Sequence, residues 1–204
     1  MYKRKDDEIM ILSNTIGEYL PLIIVAIIII LIVSVIGWWI STSNKFKRMG
    51  VKIDEAESGI DVALTKRFDL LTKALGAVKG YAKHESETLE KVIAMRSGLN
   101  KNSTLAEKQD FANATREALN SINIVAEQYP QLKADTQFTN LQRNIYEVEE
   151  QLQAARRLYN ANVSSFNQSI IVFPGSLVAN SLHLTKREFF EAEDLKRQDV
   201  KIEF

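Results

Sequence analysis

The chain has 204 residues, with 26 basic and 26 acidic side chains and no cysteine. A net charge of zero provides no overall positive field for nucleic acid, so no nucleic-acid partner is expected. The lack of cysteine excludes disulfides, thiolate metal sites and cysteine nucleophiles. Only 8 glycines and 3 prolines occur, and the chain after its apolar N-terminal segment is rich in strong helix formers, which predicts an all-α protein.

The first elements are a polar leader, residues 1–19, and an uncharged apolar run, residues 20–40. The leader is too short for a fold and is expected to be mobile. As a helix the run is about 30 Å long, which matches the hydrocarbon core of a bilayer. It is apolar on every side and ends in Trp38 and Trp39, which favours a transmembrane helix over a buried core helix. Its length and these bulky residues argue against a cleaved signal peptide.

Positive charge near the span predicts its orientation, because basic residues favour the cytoplasmic side. The basic residues nearest to the span follow it: Lys45, Lys47, Arg48 and Lys52. The basic residues of the leader lie farther away: Lys3, Arg4 and Lys5. We therefore predict an outside N-terminus and a cytoplasmic domain. Contact with lipid headgroups is a second interpretation of the cluster that follows the span.

Residues 41–97 contain no proline and predict a first long helix of about 50 residues. Its apolar positions recur at steps of three and four: Ile53, Ala56, Ile60, Leu64, Phe68, Leu71, Leu75, Val78 and Ala82. Gly76 and Gly80 lie near this stripe, which predicts the close approach of a neighbouring helix, with a hinge as the alternative. The helix is expected to stop around Gly98.

A second helix is predicted to begin after Thr104, because Thr104 and Glu107 have the spacing of a capping box. Its apolar face consists of Phe111, Ala114, Ala118, Ile122, Val125 and Tyr129. Pro130 is expected to end the helix, since proline disfavours helix at the preceding residue. The short turn over residues 129–134 favours an antiparallel neighbour.

The third helix has the most regular pattern, with alternating steps of three and four over five heptads. Its seam consists of Phe138, Leu141, Ile145, Val148, Leu152, Ala155, Tyr159, Asn162, Phe166, Ile170 and Phe173. Asn162 is the polar member of the seam and is expected to fix the register. Pro174 and Gly175 are predicted to end the helix. The fold class is therefore an N-terminal transmembrane helix followed by an elongated antiparallel bundle of three long helices, plus a short C-terminal helical region.

That C-terminal region consists of two segments. Residues 176–184 are predicted to form a short helix that covers the open side of the bundle. A capping-box pattern at Thr185 then predicts a further helix that packs through Phe189 and Phe190. We place the bundle domain at residues 41–196 and a charged tail at residues 197–204.

No arrangement of residues predicts catalysis. His84 is followed by Thr88 where a zinc helix needs a second histidine, and His183 is the other histidine. Walker, dinucleotide-binding and serine-elbow patterns do not occur. The third helix carries acidic residues that we expect to be solvated and to pair with basic ones: Glu147, Glu149 and Glu150 with Arg143, Arg156 and Arg157. We assign no catalytic, cofactor-binding or metal-binding residue and predict that the protein is not an enzyme.

Several short segments occur in a characteristic order: residues 66–70 (KRFDL), 78–85 (VKGYAKHE), 129–134 (YPQLKA), 154–160 (AARRLYN), 166–167 (FN), 173–174 (FP) and 189–193 (FFEAE). Taken in this order, they resemble the LemA family of bacterial membrane proteins. The resemblance implies a single N-terminal anchor, a bundle of long helices and a bacterial origin. Two departures are that residues 71–73 replace a common Ile-Pro-Asn and that Phe166 replaces a tyrosine.

The residues favour a non-catalytic scaffold anchored in a membrane, and the resemblance implies that this is the bacterial cell membrane. Its expected partners are the lipid bilayer, further copies of the chain as a homo-oligomer, and other membrane proteins. The resemblance adds two alternatives. Some LemA-like proteins are encoded beside HtpX-type membrane metalloproteases, which implies a regulatory adaptor. The magnetosome protein MamQ carries a LemA-like domain, which implies membrane remodelling.

Overall fold

The computed structural model describes residues 2–78 and 103–190, with side chains from Tyr19 onward. This part of the chain is helical and contains no strand. Its helices are α1 (Tyr2–Val78), α2 (Leu105–Gln128), α3 (Pro130–Lys133), α4 (Thr136–Ile171) and α5 (Gly175–Ser181). The all-α fold class is confirmed.

Helix α1 is continuous over 77 residues, about 115 Å at standard rise. It includes the leader, which we expected to be mobile and without structure. Elongation from an existing helix needs no new nucleus, so the leader can extend the apolar helix at little cost. One stretch of α1 is long and apolar enough to cross a membrane, and none of it is buried inside the protein. This finding is consistent with a membrane anchor.

Helices α1 and α4 pack along each other in opposite directions. Asn162 donates from Nδ2 to the backbone carbonyl of Lys52 at 3.1 Å. Four residues later on α4, Phe166 packs edge to face with Phe46, six residues earlier on α1, with ring centroids 6.5 Å apart. The predicted antiparallel packing is therefore present between these two helices, and Asn162 contacts the partner helix from the seam.

Helix α2 runs in the same direction as α1. Lys108, near its start, contacts Glu57 and Asp61. One turn later, Phe111 packs against Phe68, with ring centroids 5.9 Å apart. From Lys108 to Phe111 along α2, the contacted residues of α1 therefore also move to higher numbers, from Glu57 and Asp61 to Phe68. Neighbouring helices are antiparallel in the pair α1 and α4, whereas α1 and α2 point the same way.

Some predictions about the first helix fall on residues 79–102, which lie outside the described residues. They are Gly80, Ala82, His84 and the stop around Gly98. At Gly76, by contrast, a Cβ would meet no atom of the described residues within 4 Å. Gly76 is exposed, so none of the described helices makes the predicted close approach at this position.

Helix α2 begins as predicted. The Thr104 hydroxyl accepts from the backbone N–H of Glu107 at 3.3 Å, and the Glu107 carboxylate accepts from the backbone N–H of Thr104 at 2.7 Å. The helix ends at Gln128, just before Pro130, which begins the short α3. Its buried residues are Lys108, Phe111, Ala112, Thr115, Ala118, Leu119, Ile122, Val125 and Ala126.

The seam of α4 contacts the core except at its end. The buried residues of α4 are Phe138, Val148, Leu152, Tyr159, Val163, Phe166 and Ile170. The prediction is wrong for Phe173, which is 75% exposed. Helix α4 ends at Ile171, so the side chain of Phe173 leaves the helical face. Residues 71–73, where the family commonly has a proline, are uninterrupted helix.

The first predicted C-terminal helix is present as α5. The second is wrong over the described residues, because residues 184–190 are not helical. Phe190 is buried, but Phe189 is 45% exposed. Side chains of α4 satisfy backbone groups of this segment, so it is held without the internal hydrogen bonds of a helix.

Candidate functional site

The extended C-terminal segment, residues 184–190, lies along α4 and is held by two asparagines one heptad apart. Asn160 donates to the Phe190 carbonyl at 2.9 Å and accepts from the Phe190 backbone N–H at 2.8 Å. Asn167 makes the same pair of bonds with Arg187, at 2.9 and 2.8 Å. Each asparagine amide therefore pairs with a residue's backbone as a neighbouring strand would.

Aromatic and basic side chains complete this contact. The Arg156 guanidinium lies 4.7 Å from the ring centroid of Phe190, a cation–π distance. The Tyr159 hydroxyl donates to the Glu188 carbonyl at 3.1 Å. Burial and then the negative charge of Glu57 raise the pKa of Tyr159. The hydroxyl is thus held as a neutral donor.

A second polar cluster joins α1, α2 and α4 around Glu149. Its carboxylate lies 3.0 Å from Arg67 and 3.2 Å from Arg116, and it accepts from Gln153 at 2.8 Å. Arg67 is 2% exposed and also donates to the Ala112 carbonyl at 3.1 Å. Burial alone would raise the pKa of Glu149, but the charges and hydrogen bonds of its partners outweigh burial and lower it.

The sequence prediction for this glutamate is therefore wrong. Glu149 does not pair in solvent with a neighbouring arginine of its own helix. Its partners Arg67 and Arg116 come from two other helices, and Arg156, one of the three arginines predicted to pair with these glutamates, lies on Phe190 instead. A helical pattern within one segment carries no information about which distant helix brings the opposite charge.

The third cluster surrounds Lys108, which is only 1% exposed although it is charged. Its Nζ donates to Glu57 at 2.7 Å and to Asp61 at 3.0 Å. Burial lowers the pKa of Lys108, but the hydrogen bonds and charges of the two carboxylates outweigh burial and raise it. Sequence reasoning did not single out Lys108. The feature that could have indicated it is its position three residues before Phe111, on the buried face of α2.

The polar clusters around Glu149 and Lys108 connect the helices of the bundle. In both clusters, each buried basic side chain has an opposite charge beside it, and the contacts join different helices. In the part of the chain that the structure describes, no group of three or more His, Cys, Asp or Glu side chains could hold a metal ion. His183 is an exposed residue at the end of α5, with a left-handed φ of 52°.

The remaining candidate site is the end of the bundle next to the apolar span. Trp38, inside the predicted span, is half-buried and packs against the hydrophobic core. Its ring meets that of Trp39 edge to face, with centroids 6.4 Å apart. Helix α5 packs against both α1 and α4. The bundle thus begins where the span ends, with no linker between them.

Comparison with known sequences now identifies the family, because the family model of LemA matches residues 56–204. The chain belongs to the LemA family. It is also 31% identical, over 166 residues, to Protein LemA of Metamycoplasma hominis. That match covers 79% of this chain and 74% of its relative.

The fold brings together LemA-like segments that are distant in sequence. Asn160 ends the AARRLYN segment, and its partner Phe190 belongs to the FFEAE segment. Phe166 is buried in the core beside them along α4, and Asn167 follows it. Three of the segments that resemble LemA therefore meet where the C-terminal segment lies on α4.

Proposed function

We propose that this LemA-family protein is a membrane-anchored, non-catalytic helical scaffold that assembles with further copies of itself in the bacterial cell membrane. The observation that carries the proposal is the continuity of α1 from the apolar span into the bundle. One helix therefore joins the anchor to the bundle directly, without a linker between them. Such a domain is suited to a scaffold, which holds proteins in contact with one another.

Two further observations support this proposal. The buried charges of the three helices are engaged with one another, which suits a rigid support. Copies confined to one membrane also share orientation and have a high effective concentration, so weak contacts suffice for assembly. Exposed apolar side chains are available on the bundle for such contacts: Val51, Val62, Ile124, Tyr146 and Leu158.

Measuring the mass of the full-length protein in mild detergent, together with amine crosslinking in the native membrane, tests self-assembly. We expect a mass of several copies and crosslinked species that contain this chain alone. A monomer at every concentration, with no crosslinked product, would contradict the proposal. Recovery of a membrane metalloprotease in place of further copies would instead favour the adaptor function that the family resemblance suggests.

We also propose that the bundle lies on the cytoplasmic side, which the basic residues after the span support. The cysteine-free chain allows a direct test with Asp110→Cys on the exposed surface of α2. In intact cells, a membrane-impermeant maleimide should leave this cysteine unlabelled, and lysis should expose it. Labelling in intact cells would place the bundle outside.

A further inference from the structure

Four large apolar side chains are exposed where α4 turns into α5. They form the apolar turn: Ile171, Val172, Phe173 and Leu177, which are 57%, 58%, 75% and 54% exposed. The adjoining Ile170 and Val178 are buried. The apolar turn thus places four exposed apolar side chains within one short segment, residues 171–177, outside the core.

The register between α4 and α1 places this turn at the end of the span. Phe166 packs against Phe46, and the two helices run in opposite directions. Ile171, five residues further along α4, is therefore level with about residue 41 of α1. That position directly follows Ile40, the last residue of the apolar run. The residues after Ile171 form the extremity of the bundle on the membrane side.

The charge distribution suits contact with lipid. Residues 158–185 contain no Asp, Glu, Lys or Arg, although a quarter of the whole chain is charged. Residues 19–53 contain no acidic side chain. One to two turns further along α1 than residue 41, the exposed charged side chains are basic: Lys45, Lys47 and Arg48. An apolar surface flanked by positive charge matches the boundary between acyl chains and anionic headgroups.

We propose that the apolar turn inserts into the interfacial layer of the leaflet where the span ends. The bundle then has a second attachment to the membrane, through Val172 and Phe173, in addition to its anchor helix. Trp38 and Trp39, of the residue type that favours the headgroup boundary, mark the same depth on α1. The occupant of this surface is lipid, rather than a second copy of the chain.

The absence of cysteine permits a depth measurement on the full-length protein. We would attach the environment-sensitive dye NBD to Phe173→Cys or Val172→Cys and reconstitute one copy per nanodisc of phosphatidylcholine and phosphatidylglycerol. Leu158→Cys is the matched control, because the exposure of Leu158, 57%, is close to the 58% of Val172. Leu158 lies 13 residues before Ile171 on α4, about 20 Å farther from the membrane.

We expect blue-shifted NBD emission at positions 172 and 173, protection from aqueous iodide, and quenching by spin-labelled lipid. The label at position 158 should be quenched by iodide and unaffected by the lipid quencher. Iodide quenching at position 173 equal to that at position 158 would overturn the proposal. A blue shift that appears only in discs with two or more copies would also overturn it and identify a second copy as the occupant. The measurement does not depend on self-assembly, since each disc holds one copy.

Discussion

The side-chain amide of Asn160 pairs with both backbone groups of Phe190, at 2.9 and 2.8 Å, across 30 residues of sequence. Buried backbone groups require partners, and here one side chain supplies both. The Phe190 ring is buried beside Arg156. The contact therefore combines two hydrogen bonds with an aromatic anchor, and it holds a segment that has no regular structure of its own.

We predict that Asn160→Ala destabilises the protein by about 1–3 kcal/mol, because it leaves the backbone groups of Phe190 without this partner. The C-terminal segment should detach more often. The measurement is the free energy of unfolding of the full-length protein in detergent, together with the rate of limited proteolysis near residues 184–190. Asn144→Ala changes an exposed asparagine of the same helix and is the control. Equal proteolysis rates for the two variants would contradict the prediction.

Glu149→Gln should reduce stability by roughly 2–3 kcal/mol, because it removes the negative charge that compensates the buried Arg67. The exposed neighbour Glu150→Gln should change stability by less than about 0.5 kcal/mol. Guanidinium titrations of both variants provide the comparison. If the two substitutions have equal effects, the Glu149 cluster does not hold the helices together.

The Glu149 carboxylate also predicts that the stability of the protein depends on pH in the acidic range. The folded state lowers the pKa of Glu149, so its contribution to stability is present above the unfolded pKa and is lost as pH falls through the folded pKa. Wild-type stability should therefore decline below about pH 4.5. The Glu149→Gln variant should lack this component of the decline, and parallel curves for the two proteins would contradict the assignment.

Lys108 predicts that the stability of the protein falls at high pH rather than at low pH. Its pKa is raised in the folded state, so its contribution to stability is present below the unfolded pKa and is lost as pH rises through the folded pKa. Wild-type stability should fall above about pH 10.5. Lys108→Met should be less sensitive to this alkaline range, as measured by thermal unfolding across pH. A curve that matches wild type would show that other groups control alkaline unfolding.

The paired substitution Glu57→Gln with Asp61→Asn should lower the free energy of unfolding more than Lys108→Met does, by about 2 kcal/mol. It leaves the buried ammonium of Lys108 without an opposite charge, whereas the methionine leaves only partly exposed carboxylates behind. Free energies of unfolding near neutral pH decide the order. A larger loss for Lys108→Met would contradict this explanation of the cluster.

Gly175→Ala should destabilise the protein by about 1–3 kcal/mol, because the new Cβ would lie 2.8 Å from the Ser169 carbonyl oxygen and 3.5 Å from Phe46. Gly76→Ala is the matched control. Its Cβ would meet no atom of the described residues within 4 Å, and alanine favours helix over glycine, so this variant should gain about 0.5–1 kcal/mol. Effects of the same sign in the two thermal unfolding curves would contradict the prediction.

The regular features of the chain could be predicted from sequence because each depends on neighbouring residues. The apolar run of residues 20–40, the capping box at Thr104 and the heptad seam of α4 are local patterns, and the structure retains them. The end of the seam could not be predicted at Phe173, because the periodicity continues beyond the residue where the helix stops. Thr185 likewise has a capping pattern, but tertiary hydrogen bonds hold the backbone after it in an extended form.

By itself, then, the sequence determined that the chain is helical, that it carries a membrane-length apolar helix, and which faces of α2 and α4 are apolar. These follow from periodicity and length, which act within one segment. The tertiary structure alone decided that α2 runs parallel to α1 and that Glu149 meets Arg67. It also decided that Asn160 holds Phe190. Such pairings depend on which distant segments pack together, and a short-range pattern does not contain that information.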